Sequence, residues 1–387
     1  MKIRTLVSRF VAAFMIACAV LGFLSENAWS NGADVIIGFT PALSGAHILE
    51  GQPQVRTVEM AVKAVNDAGG IFGRKLKVVT FDNHSNELGM VQAFENLFAD
   101  PAAQPVAVIS TVKSFQIAAI HEASLKRKVP VMMAGSSPSL TEKNNPWMFR
   151  VRPNEKIAAR ALIQYAKESM KAKKIGLLHE NDTFGNEAAS LVERYAKLEH
   201  VTIVKKLSYE VRERDFTKFL LQMKEAGVDL LIVYGTNGSD VGILQRQYAD
   251  MGRPFPYLGS SSSARKATLK ISQKAADGII AALDFVPNDR PAAKTYVDTY
   301  KKLYGDEPDS IAIWTYDSVM LIANALKKAG PSASSEKLRD TLRAESYEGV
   351  YGTYKFDARG DGLSESTLVK IENGTPQALK VLRVTPE

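Results

Sequence analysis

Cysteine is nearly missing from this chain of 387 residues: Cys18 is the only one, and it lies within the leading apolar run. The body of the chain therefore has no thiol for a disulfide, a cysteine-based zinc site or a nucleophile. Histidine is scarce too. The five (His47, His84, His121, His179 and His200) stand at no metal-ligand spacing. No G-x-S-x-G is present, which removes the nucleophile elbow of a hydrolase. Neither sign of charge dominates, with 49 Lys and Arg against 42 Asp and Glu. The one lysine cluster (Lys167, Lys171, Lys173, Lys174) falls at a helix end, where cations suit the helix dipole, so nucleic acid is not an expected partner.

Glycine-rich cofactor loops fail on inspection. Gly235 to Gly242 follows a strand and opens a helix, but its spacing is GxxGxxxG, and no acidic residue ends a suitable later strand. Gly70-Ile71-Phe72-Gly73 leads into a strand, so it cannot cradle a phosphate at a helix start. Asp357 to Gly362 imitates half a calcium loop, with Arg359 at a ligand position. The expectation is a protein that is not an enzyme and uses no cofactor or metal.

The first thirty residues carry an address. Lys2, Arg4 and Arg9 precede an apolar run from Phe10 to Leu24, and Ala28-Trp29-Ser30 supplies small residues before a cut after Ser30. That pattern is a secretory signal peptide, its run too short for a retained membrane span. A lipid-attached alternative rests on Met15-Ile16-Ala17-Cys18. Cleavage after Ser30 removes Lys2, Arg4, Arg9 and Glu26 and takes the formal charge from +7 to +5. The expected destination is outside the cytoplasm.

Beyond the leader, short apolar runs alternate with amphipathic stretches. Pro105 to Thr141 shows the unit: PVAVIS, a polar corner, a segment with Ile117, Ile120 and Leu125 at helical spacing, then VPVMMA and a second polar corner. Strands this short and apolar suit a parallel sheet buried on both faces. Such units fill Asp34 to about Arg150 and again Val151 to about Asp284, with helices expected over Glu155–Met170, Asn186–Leu198, Asp215–Ala226 and Asp240–Met251. Helices Pro291–Tyr304, Ile311–Ala329 and Glu336–Ala344 and three late strand-like runs are too few for a third core. The expected architecture is α/β, with two doubly wound Rossmann-like lobes joined by a three-strand hinge. Residues 31–150 with 286–356 form one lobe, 151–285 with 357–387 the other, and the crossings fall near Arg150–Pro153, Phe285–Asn288 and Phe356–Gly362.

In open α/β sheets small ligands sit beyond the carboxyl ends of the strands. Those ends carry Ser110, Thr111, Lys113 and Ser114, then Gly135, Ser136, Ser137 and Ser139. In the second lobe they carry His179 to Gly185, Tyr234 to Ser239, and Gly259 to Ser263. Each loop alone is equally a capped helix start. Five of them at corresponding strand ends outline a cleft.

Several stretches then resemble the leucine/isoleucine/valine-binding family, the type I periplasmic Venus-flytrap receptors of ABC importers. They are PALSG (41–45), VNDAGGIFGRKLKVVTFDN (65–83), FRVRPNE (149–155), HENDTFGNE (179–187), DFTKFLLQMKEAGVDLLIVYG (215–235) and WTYDSVMLIANAL (314–326), and together they span nearly the whole chain after the leader. The resemblance implies a carboxylate and an ammonium held at the positions of Val112, Gly135 and Ser137, with Val112 replacing a serine. Lys113 and Ser114 beside them are candidate anion donors, and Ser136 shares the loop. Phe184 matches a covering aromatic residue. Asn237 takes the place of a second aromatic, Ser261 of the acid that pairs with the ammonium, and Glu50 of a pocket-lining aromatic. Glu50 or Asp182 is the candidate substitute for the missing acid; failing both, the ligand lacks an α-ammonium group, as an aromatic acid or an amide does. The resemblance implies an exported, periplasmic monomer that captures a small amino acid or related carboxylate or amide and presents it to an ABC permease. A ligand sensor for a membrane signalling partner is the alternative.

Overall fold

The computed structural model describes residues 33–286 and 290–383. The leader with its cut after Ser30, and Asn288 of the second crossing, lie outside the described residues.

Two sheets organise the chain. The first contains β1 (Val35–Phe39), β2 (Leu76–Thr80), β3 (Ala107–Ile109), β4 (Val131–Met133) and β5 (Met148–Arg150), all parallel in the order β2-β1-β3-β4-β5. Every residue of β3 and β4 is buried, because helices cover both faces of such a sheet and unbroken apolar runs are what it requires.

The second sheet has the order β14-β13-β10-β9-β8-β6-β7. Its parallel part is β6 (Lys174–Glu180), β7 (Thr202–Tyr209), β8 (Leu230–Tyr234), β9 (Tyr257–Gly259) and β10 (Ile280–Leu283). The hairpin of β13 (Glu365–Glu372) and β14 (Thr375–Arg383) adds antiparallel to its edge. Asn373 and Gly374 both have positive φ (52° and 72°), the pair that a two-residue turn between twisted strands demands. A small ribbon of β11 (Ser346–Glu348) and β12 (Thr353–Lys355) completes the strands; β11 has no apolar run and was not expected.

The cores follow the sheets. Side chains from 35–151 pack in one cluster with Phe285, Tyr296, Tyr300, Trp314, Ile322, Leu338, Tyr354 and Phe356. The late helices Pro291–Tyr304, Ile313–Ala329 and Ser335–Ala344 thus complete the first lobe. Two further clusters line the faces of the second sheet. At the crossings Arg150 bridges in parallel to Asp361, and Gly360, at φ +98°, has no room for a Cβ beside the Met148 carbonyl.

Two local expectations change. The helical segment expected around Ile117, Ile120 and Leu125 is two helices, Ser114–Ala119 and His121–Arg127, broken at Ile120. The buried face is Ile117, Ile120, His121 and Ser124, which leaves Leu125 exposed at its edge. The spacing of Val55, Val58, Ala61, Val62 and Val65 predicts a helix from about Pro53 to Ala68; it starts earlier, as Ile48–Asp67, because the single turn Gly45–His47 feeds directly into it. Glu50 therefore sits in its first turn, facing inward.

Candidate functional site

The carboxyl ends of β1, β3 and β4 meet those of β6, β8 and β9 across a narrow gap. Of the eleven candidate residues only Asp182 is even partly exposed; Glu50, Val112, Lys113, Ser114, Gly135, Ser136, Ser137, Phe184, Asn237 and Ser261 are all buried. What their polar atoms touch separates them.

Lys113 and Glu50 form a buried ion pair, with Nζ 3.1 Å from Oε1 and 2.9 Å from Oε2. The same Nζ donates to the Thr236 carbonyl of the other lobe at 2.9 Å. That carbonyl is held in place from behind, since Glu180 accepts from Thr236 N (2.7 Å), Thr236 Oγ1 (2.6 Å) and Asn237 N (3.1 Å). Burial alone would raise the Glu50 carboxyl, but the charge and hydrogen bond of Lys113, with Arg265 behind it, outweigh burial and hold it below its ordinary range. His47 is driven down to about 3 by burial and by Lys113, so it is neutral near pH 7 and adds no charge. Other contacts between the lobes are Ser139 with Glu187, whose carboxylate accepts from its N and Oγ, and Lys266 with Asp306 at 2.6 Å.

The Gly135–Ser137 corner is pinned by Arg150, which is fully buried. Its guanidinium donates to the carbonyls of Gly135 and Ser137 and to Thr141 Oγ1, and pairs with Asp361 at 2.6 Å. The Gly135 carbonyl, expected to be open to an ammonium group, is thus already on a guanidinium. The hydroxyls of Ser136 and Ser137 are buried with no hydrogen-bond partner. The Ser114 hydroxyl takes only a long bond, 3.4 Å, from Ser137 N. Val112 packs into the first lobe's apolar cluster.

From the second lobe, Phe184 stands in the first turn of helix Thr183–Leu198, its ring 5.8 Å from that of Tyr234. Asn237 and Asp182 are helix caps: Asn237 Oδ1 accepts from Ser239 N and Asp240 N, and Asp182 Oδ1 from Gly185 N. Burial and the nearby Glu180 push the Asp182 carboxyl up to about 6. Neither side chain is free in the way the family pattern suggested.

Ser261 brings two residues that the sequence did not single out. Its Oγ accepts from Arg152 Nη2 (3.1 Å) and from Arg265 Nη2 (2.9 Å). Arg152 also reaches the Ala134 carbonyl (3.2 Å) and pairs with Asp284 at 2.7 Å. Burial would lower the Arg152 guanidinium, but Asp284 and Glu155 outweigh it. Glu155, buried beside Arg152, faces the hydroxyls of Ser136 and Tyr234, and burial shifts its carboxyl upward; neither hydroxyl has a well-aligned partner. Arg265 is buried and makes no ion pair among the described residues.

A family model described as periplasmic binding protein matches residues 34–375. The chain belongs to the periplasmic binding protein family. Its relatives include the leucine-, isoleucine-, valine-, threonine- and alanine-binding protein of Pseudomonas aeruginosa, 24% identical over 346 residues that cover 89% of this chain and 91% of the relative. The branched-chain amino acid transporter substrate-binding protein of Streptococcus pneumoniae, solved with isoleucine, superposes with a TM-score of 0.82 at 26% identity, over 91% of this chain and 100% of that one. A solute-binding protein of Rhodopseudomonas palustris, solved with benzoate, shares the fold at 19% identity with a TM-score of 0.83, over 92% of this chain and 98% of that one. The two-lobed α/β architecture expected from the sequence is the architecture of these periplasmic binding proteins.

As a periplasmic binding protein the chain departs from the expected pattern in charge. Arg152 lies inside the FRVRPNE motif and Arg265 four residues after Ser261. The available signal was a basic residue within two to six positions after a strand end. No helix among the described residues is long and apolar enough to cross a membrane.

Proposed function

We propose that this chain is the exported substrate-binding protein of an ABC importer, which captures one small carboxylate-bearing ligand between its lobes and presents the closed form to a membrane permease. The observation that carries this reading is Lys113: one buried ammonium ties Glu50 of the first lobe to the Thr236 carbonyl of the second, a contact that exists only when the lobes are shut. In the same cleft the Ser137 hydroxyl stands buried and unpartnered, as a donor awaiting an acceptor would, with the Ser136 hydroxyl next to it facing Glu155.

In this reading the lobes are residues 31–150 with 286–356 and 151–285 with 357–387. The three crossings act as the hinge, and the protein works as a periplasmic monomer. Ligand contacts made only in the closed state shift the population toward it, and the changed outer surface is what the permease reads. Ser114, Ser136 and Ser137 hold the ligand from one lobe, Phe184 covers it from the other, and Val112 lines the wall. A sensor for a signalling partner would share all of this up to the last step.

The test is small-angle scattering with mass spectrometry of whatever co-purifies. A bound small acid that lowers the radius of gyration supports capture by closure. An identical profile with and without a saturating ligand refutes it. Ligand uptake by vesicles holding the cognate permease, absent without this protein, separates import from sensing.

A further inference from the structure

We infer that the cleft selects a small monocarboxylate without an α-ammonium group, held by the Arg265 guanidinium from one lobe and by the Ser136 and Ser137 hydroxyls from the other. This deepens the ligand-capture reading above and rests on it.

Most of the acceptors already face a cation, although one oxygen of Glu50 pairs with Lys113 by charge without a hydrogen bond. An α-ammonium group entering a buried site needs a carboxylate or an open carbonyl, or it is left as an uncompensated charge. Glu50 is spent on Lys113 and Asp284 on Arg152. The Gly135 carbonyl receives Arg150. Ser261, where the family pattern would put an acid, has its oxygen turned toward two guanidinium groups. Asp182 caps a helix and receives Thr236 Oγ1 at 3.4 Å. Glu155 lies against Arg152, so an ammonium drawn to it would meet that positive charge as well. Asp309 accepts from Ile311 N at 3.1 Å.

The donors are not all engaged. Arg265 is only 7% exposed, and its single side-chain hydrogen bond is the one to Ser261. Glu50 and Asp309 are the acids that feel its charge, yet neither pairs with it. The Ser137 hydroxyl completes the set, buried and without a partner, and the Ser136 hydroxyl beside it faces Glu155 without a well-aligned bond. Lys113 is matched by Glu50, and Arg152 by Asp284 with Glu155 beside it, whereas Arg265 has no acid within pairing distance among the described residues. A single carboxylate balances it and can accept two parallel N–H groups from its planar fork. Phe184 and Tyr234, their rings 5.8 Å apart and Tyr234 beside Glu155, offer the remainder of such an acid an aromatic wall.

Isothermal calorimetry and thermal melting of the chain without its leader, with three isosteric pairs, test this. The pairs are leucine and 4-methylpentanoate, phenylalanine and 3-phenylpropanoate, and alanine and propanoate. For at least one pair the acid without the amine is expected to bind at least about tenfold more tightly than its amino acid. Arg265→Gln is expected to weaken that acid by roughly 30-fold or more. Its ligand-free melting temperature should match or exceed that of the unsubstituted protein, because an unpaired buried charge is gone. Arg265→Lys keeps the charge without the fork; it should fall between the two, and serves if the glutamine variant does not fold. An amino acid that binds as tightly as its des-amino partner overturns the inference and leaves ligand capture standing. Undiminished affinity in both Arg265 variants overturns it as well. If no member of either series binds, both readings fall.

Discussion

Replacing Lys113 by methionine removes one ammonium and two different interactions, and the two can be measured apart. The first is the ion pair with Glu50, whose partners are almost fully withdrawn from water. Breaking a buried pair from one side costs about 3–5 kcal/mol, since the remaining carboxylate must stay charged without compensation or take up a proton. The second is the hydrogen bond to the Thr236 carbonyl at 2.9 Å. A charged donor makes such a bond worth about 1.5–3 kcal/mol, and losing it only in the closed state shifts closure by roughly 10- to 150-fold. The double variant Glu50→Gln with Lys113→Met should recover most of the stability but none of the closure. Trp147 and Trp314, both buried in the first lobe, are the only tryptophans beyond Trp29 of the leader, so their fluorescence in urea reports the lobe that contains the pair. Scattering at saturating ligand reports closure. The pH dependence gives a further check. In the unsubstituted protein Glu50 is held below its ordinary range, so the pair's contribution is present above about pH 4.3 and is lost as pH falls through the lowered value. In the single variant the stranded carboxyl is raised and sheds its penalty on acidification, so the two proteins should converge toward low pH. A double variant that closes like the unsubstituted protein, or a single variant with an unchanged urea midpoint, would refute the reasoning.

Three other perturbations follow from the same geometry. Asp182, pushed up to about 6, keeps in the folded state a proton that the unfolded chain sheds near 3.9, so its contribution falls as pH rises from about 4 to 6. Asp182→Asn keeps the helix cap without that penalty; in urea it should be more stable by about 1–2 kcal/mol at pH 7.5, allowing for the side chain's partial exposure, and equal near pH 4. Arg150→Met strands Asp361 and the carbonyls of Gly135 and Ser137; thermal melting should show a loss of about 3–5 kcal/mol, partly recovered by adding Asp361→Asn. Ser136→Ala with Ser137→Ala should leave the ligand-free melting temperature level or slightly higher, because two hydroxyls without a well-aligned partner are removed, and should weaken ligand in calorimetry by about tenfold.

How far the sequence carried depended on the distance over which each signal acts. Helix Pro291–Tyr304 was legible to the residue, with proline at its first position and Gly305, at φ +67°, past its end. The central strands β3, β4, β8 and β9 were legible because each apolar run is buried on both faces and needs no knowledge of its partner. Asn237 could have been read as a cap from the helix it precedes; matching it to a family aromatic hid that local role. The electrostatics of the cleft had no such local signal. Lys113 and Glu50 are 63 positions apart, and Arg152 and Ser261 109. Taken singly, Ser261 is a lost acid and Glu50 a possible replacement for it. Together in space, Glu50 is consumed by Lys113 while Arg152 and Arg265 converge where the acid would stand. The sign of the site is a sum over charges drawn from four loops, and that sum exists only once the two sheets bring those loops within a hydrogen bond of one another.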